Sequence, residues 1–262
     1  MKNQPIGIFD SGVGGTSIWK EVIKLLPNEN TIYLADSKNA PYGEKSSDKI
    51  LSLSIKNTEF LISKGCKLII VACNTATTNA IDYLRKTYNI PFIGIEPAIK
   101  PAALLSKTGA IGILATKGTL TSKLFEKTAA EYTKNITIIE QDGEGLVPLI
   151  EDGKLRSREL NELLSTYLKP MLNFNIDHLV LGCTHYPYLI PQIKEIIGSD
   201  IKIIDSGEAV AKQTKAVLEK LNLIATKTSI SQYQFYTNLQ TEVLSAILND
   251  VPVNFSVEKL NF

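Results

Sequence analysis

Leu68-Ile69-Ile70-Val71-Ala72-Cys73-Asn74-Thr75-Ala76 is the stretch that decides how this chain reads. Five consecutive apolar residues, three of them β-branched, describe a strand buried on both faces. A thiol, a carboxamide and a hydroxyl follow at once. From Thr75 to Lys86 the pattern turns helical, with Ala80, Ile81 and Leu84 on one stripe. Cys73 is therefore expected at the carboxyl end of a central strand and beside a helix N-terminus, where open α/β sheets hold ligands. The dipole and free N–H groups there favour a thiolate relative to the reference pKa of about 8.5. A single cysteine in such a place also reads as a small buried hydrophobe.

A second copy of the pattern sharpens the reading. His178-Leu179-Val180-Leu181-Gly182-Cys183-Thr184-His185-Tyr186-Pro187 repeats the order of apolar strand, small residue, cysteine and polar donors, with the two cysteines 110 positions apart. Ile6-Gly7-Ile8-Phe9 returns as Ile111-Gly112-Ile113-Leu114 at an offset of 105, and Phe92-Ile93-Gly94-Ile95-Glu96 as Lys202-Ile203-Ile204-Asp205. A near-constant offset is the mark of an internal duplication. The expectation is two similar α/β domains with mostly parallel sheets, pseudo-twofold related, each presenting one cysteine to a cleft between them.

Composition narrows the function classes. A chain of 262 residues with 28 Lys+Arg against 27 Asp+Glu is nearly neutral, so nothing steers it to nucleic acid or a membrane surface. Its lysines read as solvated helix faces. No apolar run approaches the roughly 20 residues of a membrane span. The sequence enters an apolar strand within five residues, so no signal peptide is expected. Three cysteines without a C-x-x-C argue for a reducing compartment and against disulfides or a zinc ribbon. A cytoplasmic protein is expected.

Along the chain, strand Pro5 to Phe9 runs into Asp10-Ser11-Gly12-Val13-Gly14-Gly15-Thr16, a loop whose glycines allow backbone N–H groups close to an anion or simply a tight turn. It lacks the Lys-Ser/Thr of a P-loop and the G-x-G-x-x-G of a dinucleotide site, so a carboxylate or amino acid suits it better than a nucleotide. A helix over Ser17 to Leu26 and a strand over Thr31 to Ala35 lead to the donor-rich loop Asp36 to Glu44. Ser46 or Ser47 is expected to cap a helix that Gly65 ends, and Cys66 reads as structural. In the second half, strand Ala110 to Leu114 meets the polar turn Ala115 to Thr119, at the place of the earlier glycine-rich loop. Glu151-Asp152, after an apolar turn, reads as a solvated helix end. Ser157 caps a long helix in which Pro170 marks a kink or end. A β-rich segment from Gln232 to Thr237, a short helix from Glu242 to Leu248 and a Phe/Val-rich end complete the chain.

Two thiols on either side of one small ligand could serve as acid and base on opposite faces of a carbon, inverting it. No lysine stands in a recognisable cofactor setting, so such chemistry would proceed without an electron sink. The stretches Ile6–Gly15, Asn39–Gly43, Val71–Ala76 and Leu181–Pro187 (IGIFDSGVGG, NAPYG, VACNTA and LGCTHYP) resemble the glutamate racemases, of the cofactor-independent aspartate/glutamate racemase superfamily. Asp205-Ser206-Gly207 and Phe235-Tyr236-Thr237 agree as well, so the resemblance covers about residues 5 to 249. It implies interconversion of L- and D-glutamate without cofactor or metal, supplying D-glutamate for peptidoglycan. By matching position it makes Cys73 and Cys183 the catalytic thiols, Cys73 serving the D-isomer and Cys183 the L-isomer. Asp10 and His185 would each assist a thiol, with Asp36 and Glu151 as further candidates. Substrate contacts fall on Asp10, Ser11, Tyr42, Gly43, Asn74, Thr75, Thr184 and His185. One domain would comprise residues 1–97 with 208–262 and the other 98–207, and the expected assembly is a homodimer.

Two other readings compete. An aspartate racemase or related isomerase differs by one methylene of substrate, a change that supplies only about 1–3 kcal/mol of discrimination. A metal-binding protein could use Cys73, Cys183 and His185 as a Cys₂His site, although the C-x-H spacing is unlike usual zinc spacings. Trp19 and the segment after Asn249 match none of these motifs.

Overall fold

A computed structural model describes residues 2–132, 136–226 and 230–262. Four strands come first: β1 (Ile6–Asp10), β2 (Thr31–Ala35), β3 (Leu68–Val71) and β4 (Phe92–Gly94). Four more follow: β5 (Ala110–Ala115), β6 (Thr137–Asp142), β7 (His178–Gly182) and β8 (Lys202–Ile204). The last two are β9 (Tyr233–Thr237) and β10 (Phe255–Lys259). The helices are α1 (Thr16–Leu25), α2 (Ser47–Ser63), α3 (Asn74–Thr87), α4 (Ile99–Leu105), α5 (Lys117–Leu120), α6 (Lys123–Tyr132), α7 (Leu146–Glu151), α8 (Arg158–Leu172), α9 (Ile190–Ile197), α10 (Gly207–Lys220) and α11 (Glu242–Leu248).

The strands form two sheets, one of six strands in the order β10-β9-β2-β1-β3-β4 and one of four in the order β6-β5-β7-β8. Each strand pairing is parallel, so crossover helices cover the faces and the inner strands are buried throughout. The order β2-β1-β3-β4 is reproduced as β6-β5-β7-β8, which is the duplicated plan expected from the paired cysteine motifs. The two cysteines follow β3 and β7, the equivalent strands of the two sheets.

Local signals act where expected. Ser46 caps α2 by accepting from the Lys49 N–H, Ser157 caps α8 by accepting from the Leu160 N–H, and Gly65 takes a left-handed φ of 75° just past α2. Pro170 lies within α8, whose last residue is Leu172, and so occupies the final turn. The sequence reading has no helix between Glu96 and Ala110, where α4 forms. Its seven residues are too few to show a periodicity, and Pro101 sits in its first turn, where a missing N–H costs nothing.

Trp19 and the end of the chain acquire structural roles. Trp19 is fully buried on α1, meets Phe235 and Tyr233 edge-on at 4.8 and 5.5 Å, and donates from Nε1 to Thr31 Oγ1 at 2.9 Å. It thereby ties α1 to β2 and β9. The Phe/Val-rich end is strand β10, in register with β9 from Phe255–Tyr233 to Lys259–Thr237, and Phe262 packs on Phe60. One lysine departs from the solvated pattern. Lys67, almost wholly buried, pairs with Glu29 at 2.5 Å and donates to the Lys2 and Leu223 carbonyls, while Glu29 accepts from the Ala225 N–H. A buried charge survives only with such a full set of partners.

Candidate active site

The carboxyl ends of β1, β3, β5 and β7 face one crevice lined by Ser11, Tyr42, Gly43, Cys73, Asn74, Thr75, Thr116, Val147, Cys183, Thr184 and His185. Crevices at strand carboxyl ends are where this architecture binds ligands. The space between these walls is about 10 Å³, roughly that of one water molecule. A cavity of about 440 Å³ adjoins it through the shared residues Pro41, Gly43, Thr116 and Val147. The lips of the crevice touch: a Cβ on Gly118 of α5 would stand 3.0 Å from the Gly43 backbone.

Cys73 forms the N-cap of α3, and its Sγ accepts from the Ala76 N–H at 3.4 Å. Ser11 Oγ is 3.8 Å away. Burial pushes this thiol well above the ordinary cysteine range, and the charge of Asp10 adds to the rise; Ala76 and Ser11 offset only part. The expected helix-induced lowering is therefore overturned. A helix N-terminus lowers a thiol only when desolvation is modest, and Cys73 is 5% exposed.

Asp10, wholly buried at the end of β1, accepts from the Gly15 N–H at 2.8 Å and from Thr184 Oγ1 at 3.4 Å. Burial raises its carboxyl above the usual range, against the lowering influence of His185. On the other side, Cys183 Sγ is 3.7 Å from His185 Nδ1, and His185 Nε2 is 2.6 Å from Glu151 Oε1. Burial works against charge on His185, yet its bonds to Cys183 and Glu151 outweigh burial and hold the ring well above its ordinary pKa. The Gly14 N–H also points at Nε2 from 3.2 Å, but a protonated ring directs that nitrogen's own proton to the carboxylate.

Glu151 differs most from its sequence reading. It is no solvated helix end: its Oε1 accepts from the Val13 N–H at 2.6 Å as well as from His185, and its Oε2 accepts from Ser37 Oγ at 2.8 Å. Asp36 takes another position among the candidates. One oxygen accepts from Tyr42 OH at 2.5 Å and the other from the Asn39 and Asn238 amides, so it holds Tyr42 in the crevice wall. Asn57 donates to the same hydroxyl from 3.2 Å.

The glycine-rich loop has a specific use. Its N–H groups at Val13 and Gly15 bind the protein's own carboxylates, Glu151 and Asp10, which are the anions the sequence left unassigned. Asn74 carries a different signal: both side-chain atoms are buried at the crevice with no protein partner. Leaving such an amide unpaired costs about 1–3 kcal/mol, which a bound polar ligand would recover.

Thr116 and Thr119 were missed by sequence reasoning. Their hydroxyls and that of Thr75 lie within 3.0 to 3.2 Å of one another, bridging α3 to the turn after β5. The repeat offset was the available signal, since it places the turn after β5 at the position of the glycine-rich loop. Among the described residues, no group of three or more His, Cys, Asp or Glu side chains could hold a metal ion, and no helix is long and apolar enough to cross a membrane. A Cys₂His centre therefore has no support in the arrangement.

Fold and site together define a class: a duplicated parallel α/β protein with one thiol from each sheet facing a single small crevice. Residues 15–214 match the Asp/Glu/Hydantoin racemase family. A glutamate racemase of Herpetosiphon aurantiacus is 44% identical over 238 residues, 91% of this chain and 94% of that protein. A glutamate racemase of Bacillus anthracis superposes with a TM-score of 0.87 at 30% identity, covering 100% of this chain and 99% of that one. The Escherichia coli glutamate racemase, solved with L-glutamate and an activator, superposes at 0.86 with 32% identity over 98% of each chain. The chain belongs to the Asp/Glu/Hydantoin racemase family.

Proposed function

We infer that this protein is a glutamate racemase, interconverting L- and D-glutamate without a cofactor. The observation that carries the reading is the pairing of Cys73 and Cys183, from equivalent strands of the two sheets, on one crevice beside the unpartnered Asn74 amide. A relative 44% identical over 94% of its own length carries the same activity in its name.

The reaction follows from two thiols on opposite faces of the substrate. Cys183, as thiolate, takes the Cα proton of L-glutamate; the C–H electron pair passes to the substrate's carboxylate, and an S–H bond forms. Cys73 then gives its proton to the other face and becomes the thiolate. The Cα–H is far less acidic than a thiol, so the intermediate needs hydrogen bonds on the substrate carboxylate. Asn74, Thr75 and Thr184 supply donors, and exclusion of water strengthens them. His185 holds its proton toward Cys183, supported by Glu151, while Asp10 stands nearest in charge to Cys73. Residues 1–97 with 208–262 form one working unit in this scheme and 98–207 the other, each carrying one thiol. The expected homodimer, the cytoplasmic setting and the supply of D-glutamate for peptidoglycan follow from the same family resemblance.

The labelling pattern in D₂O tests the two-thiol step. Newly formed D-glutamate should carry solvent deuterium at Cα at a few per cent conversion, because the donor thiol exchanges before substrate arrives. Recovered L-glutamate should keep its hydrogen. Mass spectrometry of the separated enantiomers decides it, and matching label in both isomers would overturn the mechanism. Aspartate under the same assay should turn over at least about tenfold more slowly.

A further inference from the structure

Glu151 backs His185 from outside the space where substrate lies, since neither Glu151 nor its partner Ser37 lines the crevice. The carboxylate ends α7 on a long side chain, whose rotamer freedom must be removed before it can hold the imidazole in one place. Its Oε1 meets His185 Nε2 and the Val13 N–H, both at 2.6 Å. Those two contacts leave the group free to pivot about that oxygen. Among the described residues one donor reaches Oε2, the Ser37 hydroxyl at 2.8 Å. Anchoring both oxygens fixes the plane of a carboxylate, and anchoring one does not. Ser37 is itself held firmly, in the turn Ser37–Asn39 that follows β2. Beside it the Asp36 N–H donates to the Asp10 carbonyl at 3.1 Å, and the Lys38 N–H donates to Asn238 Oδ1 at 2.9 Å. A rigid turn of the six-stranded sheet thus delivers its hydroxyl to a helix that follows β6 of the four-stranded sheet. Cys73 is supported differently: its partners Asp10, Ser11 and Ala76 stand after or at the ends of β1 and β3 in its own sheet.

We propose that Ser37 is a positioning residue for the Cys183 half of the reaction: its hydroxyl aligns the Glu151 carboxylate, which holds His185 against the Cys183 thiol, while the Cys73 half does not depend on it. The line of contact is continuous. Ser37 Oγ meets Glu151 Oε2, Glu151 Oε1 meets His185 Nε2, and His185 Nδ1 stands 3.7 Å from Cys183 Sγ. A carboxylate that pivots moves the imidazole with it and shifts Nδ1 relative to the sulfur, and displacements of about 1 Å are costly to a proton transfer. The assignment to one half-reaction rests on the racemase reading; the alignment of Glu151 does not.

Primary isotope effects separate the two halves. Ser37→Ala removes one oxygen and leaves the backbone bonds of the turn in place, so the variant should fold. Its kcat/KM should fall about tenfold, the loss expected for one hydrogen bond to a charged group. The enantiomers are equal in free energy, so the fall must be the same in both directions. The isotope effects must not be the same. With α-deuterated L-glutamate, whose proton goes to Cys183, the effect on kcat/KM should rise above the parent's. With α-deuterated D-glutamate, whose proton goes to Cys73, it should fall, because the Cys183 step then limits both directions. Ser37→Thr keeps the hydroxyl and should recover most of the lost turnover. Isotope effects that stand still or move together, or a threonine variant as slow as the alanine one, overturn the assignment. Proton NMR tests the alignment without substrate. The proton shared by His185 and Glu151 should give a low-field resonance, identified by its loss in His185→Asn, that moves upfield in Ser37→Ala. A resonance unchanged by that substitution overturns the positioning role. Should the parent fail to racemise glutamate, the racemase reading falls and the resonance still decides what Ser37 does.

Discussion

Replacing Cys183 or Cys73 with alanine is expected to stop racemisation in both directions, by at least about a thousandfold in kcat, since each direction needs one thiol to take a proton and the other to give one. The residual chemistry should differ. Without Cys183, the remaining thiol faces only the D-isomer's Cα–H, so deuterium from D₂O should enter D-glutamate slowly and L-glutamate not at all. Without Cys73, the preference should reverse. Cys66→Ala is the control: that thiol precedes β3, at the end of the strand away from Cys73, and does not line the crevice. Chiral chromatography with mass detection reads all three variants. A folded Cys183→Ala protein turning over at the parent rate would falsify the pairing.

The second large effect is expected from a single methyl group in the glycine-rich loop. A Cβ on Gly12 would fall 2.0 Å from Glu151 Oε1, and one on Gly14 2.3 Å from His185 Nδ1. Neither glycine has a left-handed φ, so the backbone itself does not exclude alanine, and the nearest conflicts are with the two side chains that support Cys183. Displacing them by about 1 Å should reduce turnover on the order of a hundredfold. Gly12→Ala and Gly14→Ala should each remain folded by circular dichroism, with D-glutamate formation assayed alongside. Full activity in both would show that the close approach has no part in the reaction.

Much of this architecture was legible because its signals are local or repeated. Strand β3 is an unbroken apolar run, and the second cysteine motif lies at an equivalent strand of the duplicated sheet. Ser46, Ser157 and Gly65 act within a few residues of themselves. The features that escaped depend on distance. Glu151 looks like a solvated helix end because its partners, Val13 and His185, are 138 and 34 residues away. The direction of the Cys73 shift needs its burial and its distance from Asp10, and neither is written at the thiol's own position. Lys67 reads as surface until Glu29, Lys2 and Leu223 are brought around it. Strand β10 does alternate, with Val251, Val253, Phe255 and Val257 separated by polar residues or proline, but what that edge pairs with appears only in its register with β9.

The strand order also bears on how the chain is made. The four-stranded sheet is contiguous, with every strand in hand once Ile204 is available. The six-stranded sheet is split around it: β2, formed from residues 31–35, has its outer neighbour only when β9 arrives at residue 233, and β10 closes the edge at Lys259. During synthesis the first strands must therefore wait with one sheet edge open while the inserted unit folds between them, and non-local parallel pairing of this kind is slow. Pulsed hydrogen exchange during refolding should show amides of β5 and β7 protected before those of β2. The Cys183 side would then be in place before the Cys73 side, and a chain halted before β9 would leave β2 exposed as a site for aggregation.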